Sequence, residues 1–585
     1  MQSVMCPTPV AEEPDLKKFW VVLAVLVVMG IGSLFAVGQL LNSFETMTMG
    51  DGGVLYWTVA GQYDEVRDDS PLKRMLEADR PLQREMVAAL HAAADDDKIE
   101  GLFLEIYSLP TSWAKIQELR DAVQVFAASG KPVSAWIASG GNQEYQLALA
   151  ADSITLAPEG MLAIPGLRAE MTFLAGSLEK LGMKADYVHV GRFKSAPESY
   201  ERTSPSDDSH EMISSILDDQ YAAMIETMAL SRNLKQSVAM ELVDRGLFDA
   251  EKALSAHLID QVNYLPETVD DVFPSQDTID LESYALLAGP GQGGTRVAIV
   301  PVVGTIIDGE SNRSGWGGAT AGSMTVIDLL QRCYEDDDID AVVLRIDSPG
   351  GSALASDLIW NEVTELRKIK PVVVSMSGMA ASGGYYVACA ADSIFAMPGT
   401  LTGSIGVFAG KFARSEFYEK IGVTRTFVTR GRNADLFADE RIFSPEQREI
   451  LQVQLGAFYQ RFVSKVATNR HLTYEMADDI SQGRVWTGSQ AMANGLVDDL
   501  GGLSRALVSA RRMMGLSDSA DLKLVTFEHQ PGVIERLVLR SLESGDAGMS
   551  SSLRTILQHQ TASLQWLEMI DGRPLALTPV QVEFH

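Results

Sequence analysis

The longest uninterrupted apolar run is Phe19 to Leu41, FWVVLAVLVVMGIGSLFAVGQLL, 23 residues without a charge. At about 1.5 Å of helical rise per residue it can cross a hydrocarbon core about 30 Å thick with some tilt, and it predicts a transmembrane anchor over 19–41. Lys17 and Lys18 precede it, and no Lys or Arg follows until Arg67. The positive-inside rule then places residues 1–18 in the cytoplasm and residues 42–585 on the far side. A cleavable leader is the rival, with Ala36-Val37-Gly38 as processing site, though a leader's apolar region runs to only about 7–15 residues. A buried core helix is the other rival, and it would need the polar face that this run lacks. No later stretch has about 18 consecutive apolar residues, so one span is expected.

After the anchor the pattern changes to short apolar runs separated by amphipathic segments, and it repeats at a spacing of 240 residues. Met86–Ile106 (MVAALHAAADDDKIEGLFLEI) matches Val326–Ile346 (VIDLLQRCYEDDDIDAVVLRI). Each reads as an amphipathic helix, an acidic turn and a strand of continuous apolar character. Lys131-Pro132-Val133 echoes Lys370-Pro371-Val372 with a slip of one residue. Ala151-Asp152-Ser153-Ile154 then matches Ala391-Asp392-Ser393-Ile394, and Gly191-Arg192 matches Gly431-Arg432. Repeated pieces at one spacing mark a duplication. The copies are expected at about 51–285 and 295–515, joined by the Gly-rich linker Leu286–Thr295. Residues 516–585 form a C-terminal extension with a strand-like LKLVTF and two helical stretches. Within each copy, strands such as Val297–Val303, Ala341–Ile346 and Val372–Val374 alternate with helices. That alternation predicts an α/β fold with mostly parallel strands buried on both faces.

Composition narrows the function classes. The chain has 585 residues, 46% hydrophobic and 22% charged, which is globular stock. Its 48 Lys and Arg stand against 78 Asp and Glu, for a net charge of -30. Such a surface argues against a nucleic-acid partner, which needs a basic face. Cys6, Cys333 and Cys389 are too few and too scattered for a disulfide framework or a zinc site. The 8 His show no ligand spacing, so neither a metal nor another cofactor is implied.

The chemistry is divided between the copies. The second carries Ser348-Pro349-Gly350-Gly351 after the strand AVVLRID, and Met379-Ala380-Ala381-Ser382-Gly383-Gly384 between the strand PVVVSM and a helical stretch. A Ser on a Gly-rich strand-to-helix turn presents its hydroxyl, and N–H groups at the helix start stabilise negative charge. The Gly350-Gly351 pair lets backbone N–H groups approach a substrate oxyanion. In the first copy Asn142 stands opposite Ser382, Pro110 and Thr111 opposite the glycine pair, and Ile164 opposite Ser404. Conversely, Lys194 in GRFKSA faces Ala434 in GRNADL. Each copy lacks what the other retains, which predicts that Lys194 and Ser382 work at one site. A neutral lysine amine can take the proton from a serine hydroxyl if burial lowers its pKa, with no histidine required. Ser404, in LTGSIG, is a candidate second hydroxyl to orient that amine.

AASGGYY, LTGSIG, RIDSPGG and GRFKSAPE together resemble the signal peptide peptidase A (protease IV) family in its long duplicated form, from the anchor to about residue 515. The resemblance implies two tandem domains like those of Clp protease and crotonase, behind one N-terminal transmembrane helix. It implies a serine endopeptidase of the bacterial inner membrane with periplasmic catalytic domains. Its substrates would be signal peptides left after secretion, and its assembly a homotetramer lined by apolar grooves. By motif position Ser382 would be the nucleophile, Lys194 the general base and Ser404 the group that hydrogen-bonds the lysine. Backbone N–H of Gly383 and of Gly350 or Gly351 would form the oxyanion hole. Asp347 stands where relatives commonly carry Asn.

Two other readings compete. A crotonase-type acyl-CoA enzyme would use similar glycine turns, but the anchor, the outward topology and the acidic charge oppose it. A catalytically dead scaffold predicts loss of Ser382 or Lys194, and both are present. Arg192 and Arg432 occur in both copies and read as structural, Tyr385 and Tyr386 as packing, and Cys389 as a small buried hydrophobe. The Gly-rich stretch Ser311–Gly322 reads as a flap or as a solvated loop.

Overall fold

The apolar runs become buried strands. In the computed structural model, residues 52–67, 80–274, 277–288, 294–312 and 319–527 are described, with the short strands Leu575–Leu577 and Glu583–Phe584. The expected anchor at 19–41, residues 289–293 of the linker, residues 313–318 of the Gly-rich loop and the helical stretches expected after 527 lie outside them. Among the described residues no helix is long and apolar enough to cross a membrane.

In the first copy β1 (Gly53–Val59), β2 (Ile99–Ile106), β3 (Val133–Ile137) and β4 (Ser153–Leu156) are neighbours in one sheet. Two later strands leave this sheet, β5 (Ala169–Glu170) and β6 (Lys184–Val190). Two others close its edges, β7 (Gln261–Val262) beside β4 and β8 (Thr278–Asp280) beside β1. The pairs β1–β8, β2–β3, β3–β4 and β4–β7 are parallel. Helices α1 (Gln83–Asp95), α2 (Trp113–Ala128) and α3 (Asn142–Ala148) supply the connections.

The second copy repeats the plan. Its strands are β9 (Thr295–Val303), β10 (Thr305–Ile307), β11 (Thr320–Gly322), β12 (Ala341–Ser348), β13 (Gly350–Ser352), β14 (Val372–Ala381), β15 (Ser393–Ala396), β16 (Leu401–Gly403), β17 (Val407–Ala413), β18 (Val485–Thr487) and β19 (Leu522–Thr526). The main sheet runs β18-β16-β14-β12-β9-β19, with β15 also on β14. Val297, Ile299, Val342, Val343, Val373 and Val374 are buried, as strands covered on both faces require. The strand-like LKLVTF becomes β19, parallel to β9. Two boundaries differ from the sequence reading. β14 runs on to Ala381, so Met379–Ala381 lie within the strand and Ser382 directly at its end. Gly350–Ser352 is a short strand in place of the expected turn.

Hydrogen bonds repeat with the sequence. Lys131 Nζ donates to the carbonyls of Ala93 and Asp96, and Lys370 Nζ to those of Cys333 and Asp336. Asp152 caps Val133 N–H as Asp392 caps Val372 N–H. Tyr145 donates to the Leu258 carbonyl and Tyr385 to that of Leu496. Arg232–Asp260 and Arg470–Asp498 form matching ion pairs. These bonds satisfy buried or strand-end polar groups, which explains why they outlived the divergence around them.

Two features lock the copies together. A third sheet crosses between them in the order β11-β10-β13-β20-β17-β6, where β20 is Leu575–Leu577. Within it β6 of the first copy pairs antiparallel with β17 of the second, from Val190 opposite Val407 to Lys184 opposite Ala413. The second is an ion cluster with no solvent exposure at its centre. Arg345 of β12 meets Glu65 at 2.8 Å and Glu118 of α2 at 2.5 Å, both from the first copy. Its Nη1 also donates to Ser375 Oγ at 2.8 Å. Burial alone would raise the Glu65 carboxyl, but the Arg345 and Lys115 charges overcome it and pull it down to about 2.

Candidate active site

Ser382 sits where β14 ends and helix α4 (Gly383–Ala388) begins. Its backbone has φ 55° and ψ -111°, a conformation costly for a residue with a side chain. The strain is held from both sides. Ser382 N–H donates to the Gly403 carbonyl at 2.7 Å, and its own carbonyl accepts from Tyr386 N–H at 2.8 Å. The sharp turn sets the hydroxyl at the head of the helix, the arrangement of a nucleophile elbow.

Lys194 arrives from the other copy. It lies four residues past the end of β6, which β17 holds in register. The intervening loop is pinned by Phe193 N–H donating to the Gln482 carbonyl at 2.7 Å and by Lys194 N–H donating to Gly191 at 3.1 Å. Its Nζ lies 2.7 Å from Ser382 Oγ, 2.9 Å from the Ser404 carbonyl oxygen and 3.0 Å from Ser404 Oγ. One chain supplies all three residues, which the sequence left open. Lys194 is buried, with Ser382 and Ser404 at 0% exposure. Burial holds the Lys194 amine well below its ordinary value of 10.5. Ser404 is itself strained at φ 52°, with its N–H donating to the Arg484 carbonyl at 2.7 Å.

The glycine strand lies beside the serine. A Cβ on Gly383 would meet Gly351 N at 3.1 Å and Gly350 Cα at 3.2 Å, so the start of α4 and β13 are in near contact. Gly350 N–H already donates to Ser348 Oγ at 3.1 Å. Gly351 is closed in from behind, since a Cβ there would stand 1.9 Å from the Ile306 carbonyl oxygen. Ser348 went unnoticed in the sequence as a partner for the glycine pair, and its place two residues ahead of Gly350 was the available signal. Asp347 pins β12 to β14 by accepting from Met379 N–H at 3.1 Å, and it pairs with Lys115 at 3.0 Å.

The first copy's counterparts do no such work. Asn142 donates to the Gly166 carbonyl at 2.9 Å. Ile164 is buried, and its N–H donates to Gly246 as that of Ser404 does to Arg484. Ala434, opposite Lys194, lies in the exposed stretch 421–434. Tyr385, Tyr386 and Cys389 are buried packing groups. Arg192 is a surface residue paired with Asp208 and Glu211. Among the described residues no group of His, Cys, Asp and Glu is placed to hold a metal ion.

Comparison with known proteins gives a consistent picture. The family model described as peptidase family S49 matches residues 125–274 and 364–517, and that of Clp protease matches residues 320–402. The chain is 33% identical over 496 residues to "Serine protease SPPA, chloroplastic" of Arabidopsis thaliana, covering 82% of this chain and 72% of the relative. It is 33% identical to "Protease 4" of Haemophilus influenzae over 468 residues, 74% of this chain and 72% of the relative. It is 30% identical to "Protease 4" of Salmonella typhi over 512 residues, 84% of this chain and 81% of the relative.

Proposed function

The chain belongs to peptidase family S49 and is a serine protease with tandem Clp protease-like α/β domains, and we propose that Ser382 is its nucleophile and Lys194 its general base. The observation that carries this reading is the 2.7 Å approach of a buried lysine amine to the hydroxyl of a strained serine. A neutral amine has one lone pair and two N–H groups. The two N–H groups match the carbonyl and hydroxyl oxygens of Ser404, which leaves the lone pair facing Ser382 O–H. Ser404 is therefore the orienting group. Ser382 Oγ attacks the peptide carbonyl carbon while its proton passes to Nζ. The ammonium then returns that proton to the departing amine, leaving an acyl-enzyme. Water attacks the ester next, giving a proton to Nζ, which returns it to Ser382 Oγ as the acid is released.

The developing oxyanion is taken by backbone N–H groups of Gly383 and Gly351. Gly351 is favoured over Gly350, whose N–H is engaged by Ser348. The family resemblance and the apolar run near the N-terminus support a substrate class. An uncharged run at 19–41 anchors the enzyme in a membrane, and short apolar peptides, signal peptide remnants foremost, are what it meets there.

A serine-directed fluorophosphonate followed by intact mass tests the site. One adduct per chain is expected, lost in Ser382→Ala and slowed by orders of magnitude in Lys194→Ala. An unmodified native chain, or an adduct that survives Ser382→Ala, overturns the assignment.

A further inference from the structure

Strand β14 does not run straight to its serine. It pairs with β12 from Val342 opposite Val372 to Ile346 opposite Met376, and then Ser348 stands opposite Ala380. Asp347 alone therefore faces Ser377, Gly378 and Met379, and β14 carries its extra residues as a bulge that ends just ahead of Ser382. A bulge bends a strand and re-aims the side chains beyond it, and its backbone groups lose their ladder partners. Here Met379 N–H donates to Asp347 Oδ1 at 3.1 Å, and the Ser377 carbonyl accepts from Thr400 Oγ1 at 2.7 Å. Ser377 Oγ donates to Glu65 of the first copy. Gly378 has no room for a side chain, since a Cβ there would stand 2.7 Å from Ser112 Oγ and 3.2 Å from Asp347 Oδ1.

The start of α2, from the first copy, backs this bulge. Ser112 is the N-cap of α2 and sits against Gly378. Lys115 Nζ lies 3.0 Å from Asp347 Oδ2, and Gln117 Oε1 accepts from Gly399 N–H at 2.7 Å, just ahead of β16. Lys115 is buried like Lys194 but differs from it in charge. Burial would lower its amine, yet the Asp347 and Glu65 charges hold it above the ordinary value of 10.5. It is an ammonium, and it fixes one carboxylate oxygen of Asp347 while the other holds the bulge. The Asp347 carbonyl is held as well, accepting from Gly304 N–H at 2.9 Å. Asp347 also leads through Ser348 and Pro349 into β13, so it borders both the strand of the nucleophile and the glycine strand.

From this placement we infer that Lys115 and Asp347 are positioning residues: the ammonium of the first copy clamps Asp347, and Asp347 sets the bulge that fixes Ser382 Oγ against the Gly351 N–H. The inference rests on the Ser-Lys reading above. Neither side chain touches the reacting atoms. What they hold is the spacing of nucleophile and oxyanion donor, which matters most in the transition state, so their loss falls on kcat and not on KM. A misplacement of about 1 Å costs about 10²-fold in rate.

The test uses full-length chains in detergent, a fluorogenic apolar peptide and a fluorophosphonate, with rates normalised to the folded fraction seen by circular dichroism. Asp347→Ala removes the acceptor of Met379 N–H and should lower kcat and the labelling rate about 10²-fold, with KM within about twofold of native. Lys115→Met leaves Asp347 unclamped and should lower both rates about tenfold. Lys115→Met with Asp347→Asn keeps an oxygen for Met379 N–H and needs no cation, so kcat should return to within about twofold of native. Lys115→Met with Asp347→Ala should match Asp347→Ala alone, because the lysine acts only through the aspartate. Native rates in Asp347→Ala, a loss carried by KM, or a loss in Lys115→Met that Asp347→Asn does not recover overturns the positioning role and leaves the peptidase standing. A native chain that takes no label overturns the Ser-Lys reading beneath it.

Discussion

Replacing Lys194 by Met separates the two consequences of burying an amine. Met keeps the length and apolar stem of the side chain and removes the nitrogen that lies 2.7 Å from Ser382 Oγ. Among the described residues no other side chain hydrogen-bonds that oxygen, so the variant has no substitute base. General-base removal costs about 10²–10⁴ in rate, and units of nucleophile and base lose up to about 10⁶. A fall of at least about 10³ in kcat/KM is expected, or about 4 kcal/mol of transition-state stabilisation. Stability should move the other way. In the folded chain Lys194 is held well below its ordinary value by burial, while the unfolded chain protonates it up to about 10.4. Between those two values the unfolded state binds one more proton than the folded state. Native stability therefore climbs with pH through that window, by up to about 1.4 kcal/mol per unit from this group, and the contribution is complete only above about 10.4. Lys194→Met lacks that slope and should be the more stable protein at neutral pH. Urea titrations of both proteins at pH 7, 8 and 9, beside peptide turnover, read the two effects. Parallel stability curves, or near-normal turnover in the variant, would refute the assignment of a buried neutral amine.

Three further outcomes follow. Ser404→Ala removes one acceptor of the amine but leaves the Ser404 carbonyl at 2.9 Å, so kcat should drop only about fivefold, the worth of one hydrogen bond of about 1 kcal/mol, with KM unchanged in steady-state assays. Gly351→Ala forces a methyl to within 1.9 Å of the Ile306 carbonyl oxygen and should abolish turnover by displacing β13, seen as lost activity with retained circular dichroism. Arg345→Met leaves Glu65 and Glu118 buried without their cation and should cost about 3–5 kcal/mol in urea denaturation, whereas Met with Glu65→Leu and Glu118→Leu together should recover most of it.

The duplication was readable because near-equal spacing kept whole hydrogen-bonding units in step, Asp152 with Asp392 at 240 residues and Lys131 with Lys370 one residue short of it. The candidate site was readable for the opposite reason. A lysine with no counterpart at Ala434 and a serine with none at Asn142 stand out only once the copies are aligned. What escaped the sequence lies in contacts between the copies. Nothing in KADYVHV announces that it pairs with VFAGKFA more than two hundred residues later, because strand pairing carries no local signal. Nothing in the sequence marks Arg345, Glu65 and Glu118 as partners, and only their convergence makes them core residues. The extent of β14 was missed because Met379-Ala380-Ala381 is too small and glycine-flanked to read as strand. Its burial comes from neighbours, β12 on one side and β16 on the other.

The crossing of β6 onto β17 bears on how such a molecule came to be lopsided. Two equal halves facing each other would have offered a pair of reaction centres. Here the pairing brings the Lys194 amine to Ser382 in one direction only, and the equivalent positions of the first copy are Asn142, Ile164 and Ala434. On the proposed assignment, neither half severed from the other would retain a complete set of reacting groups.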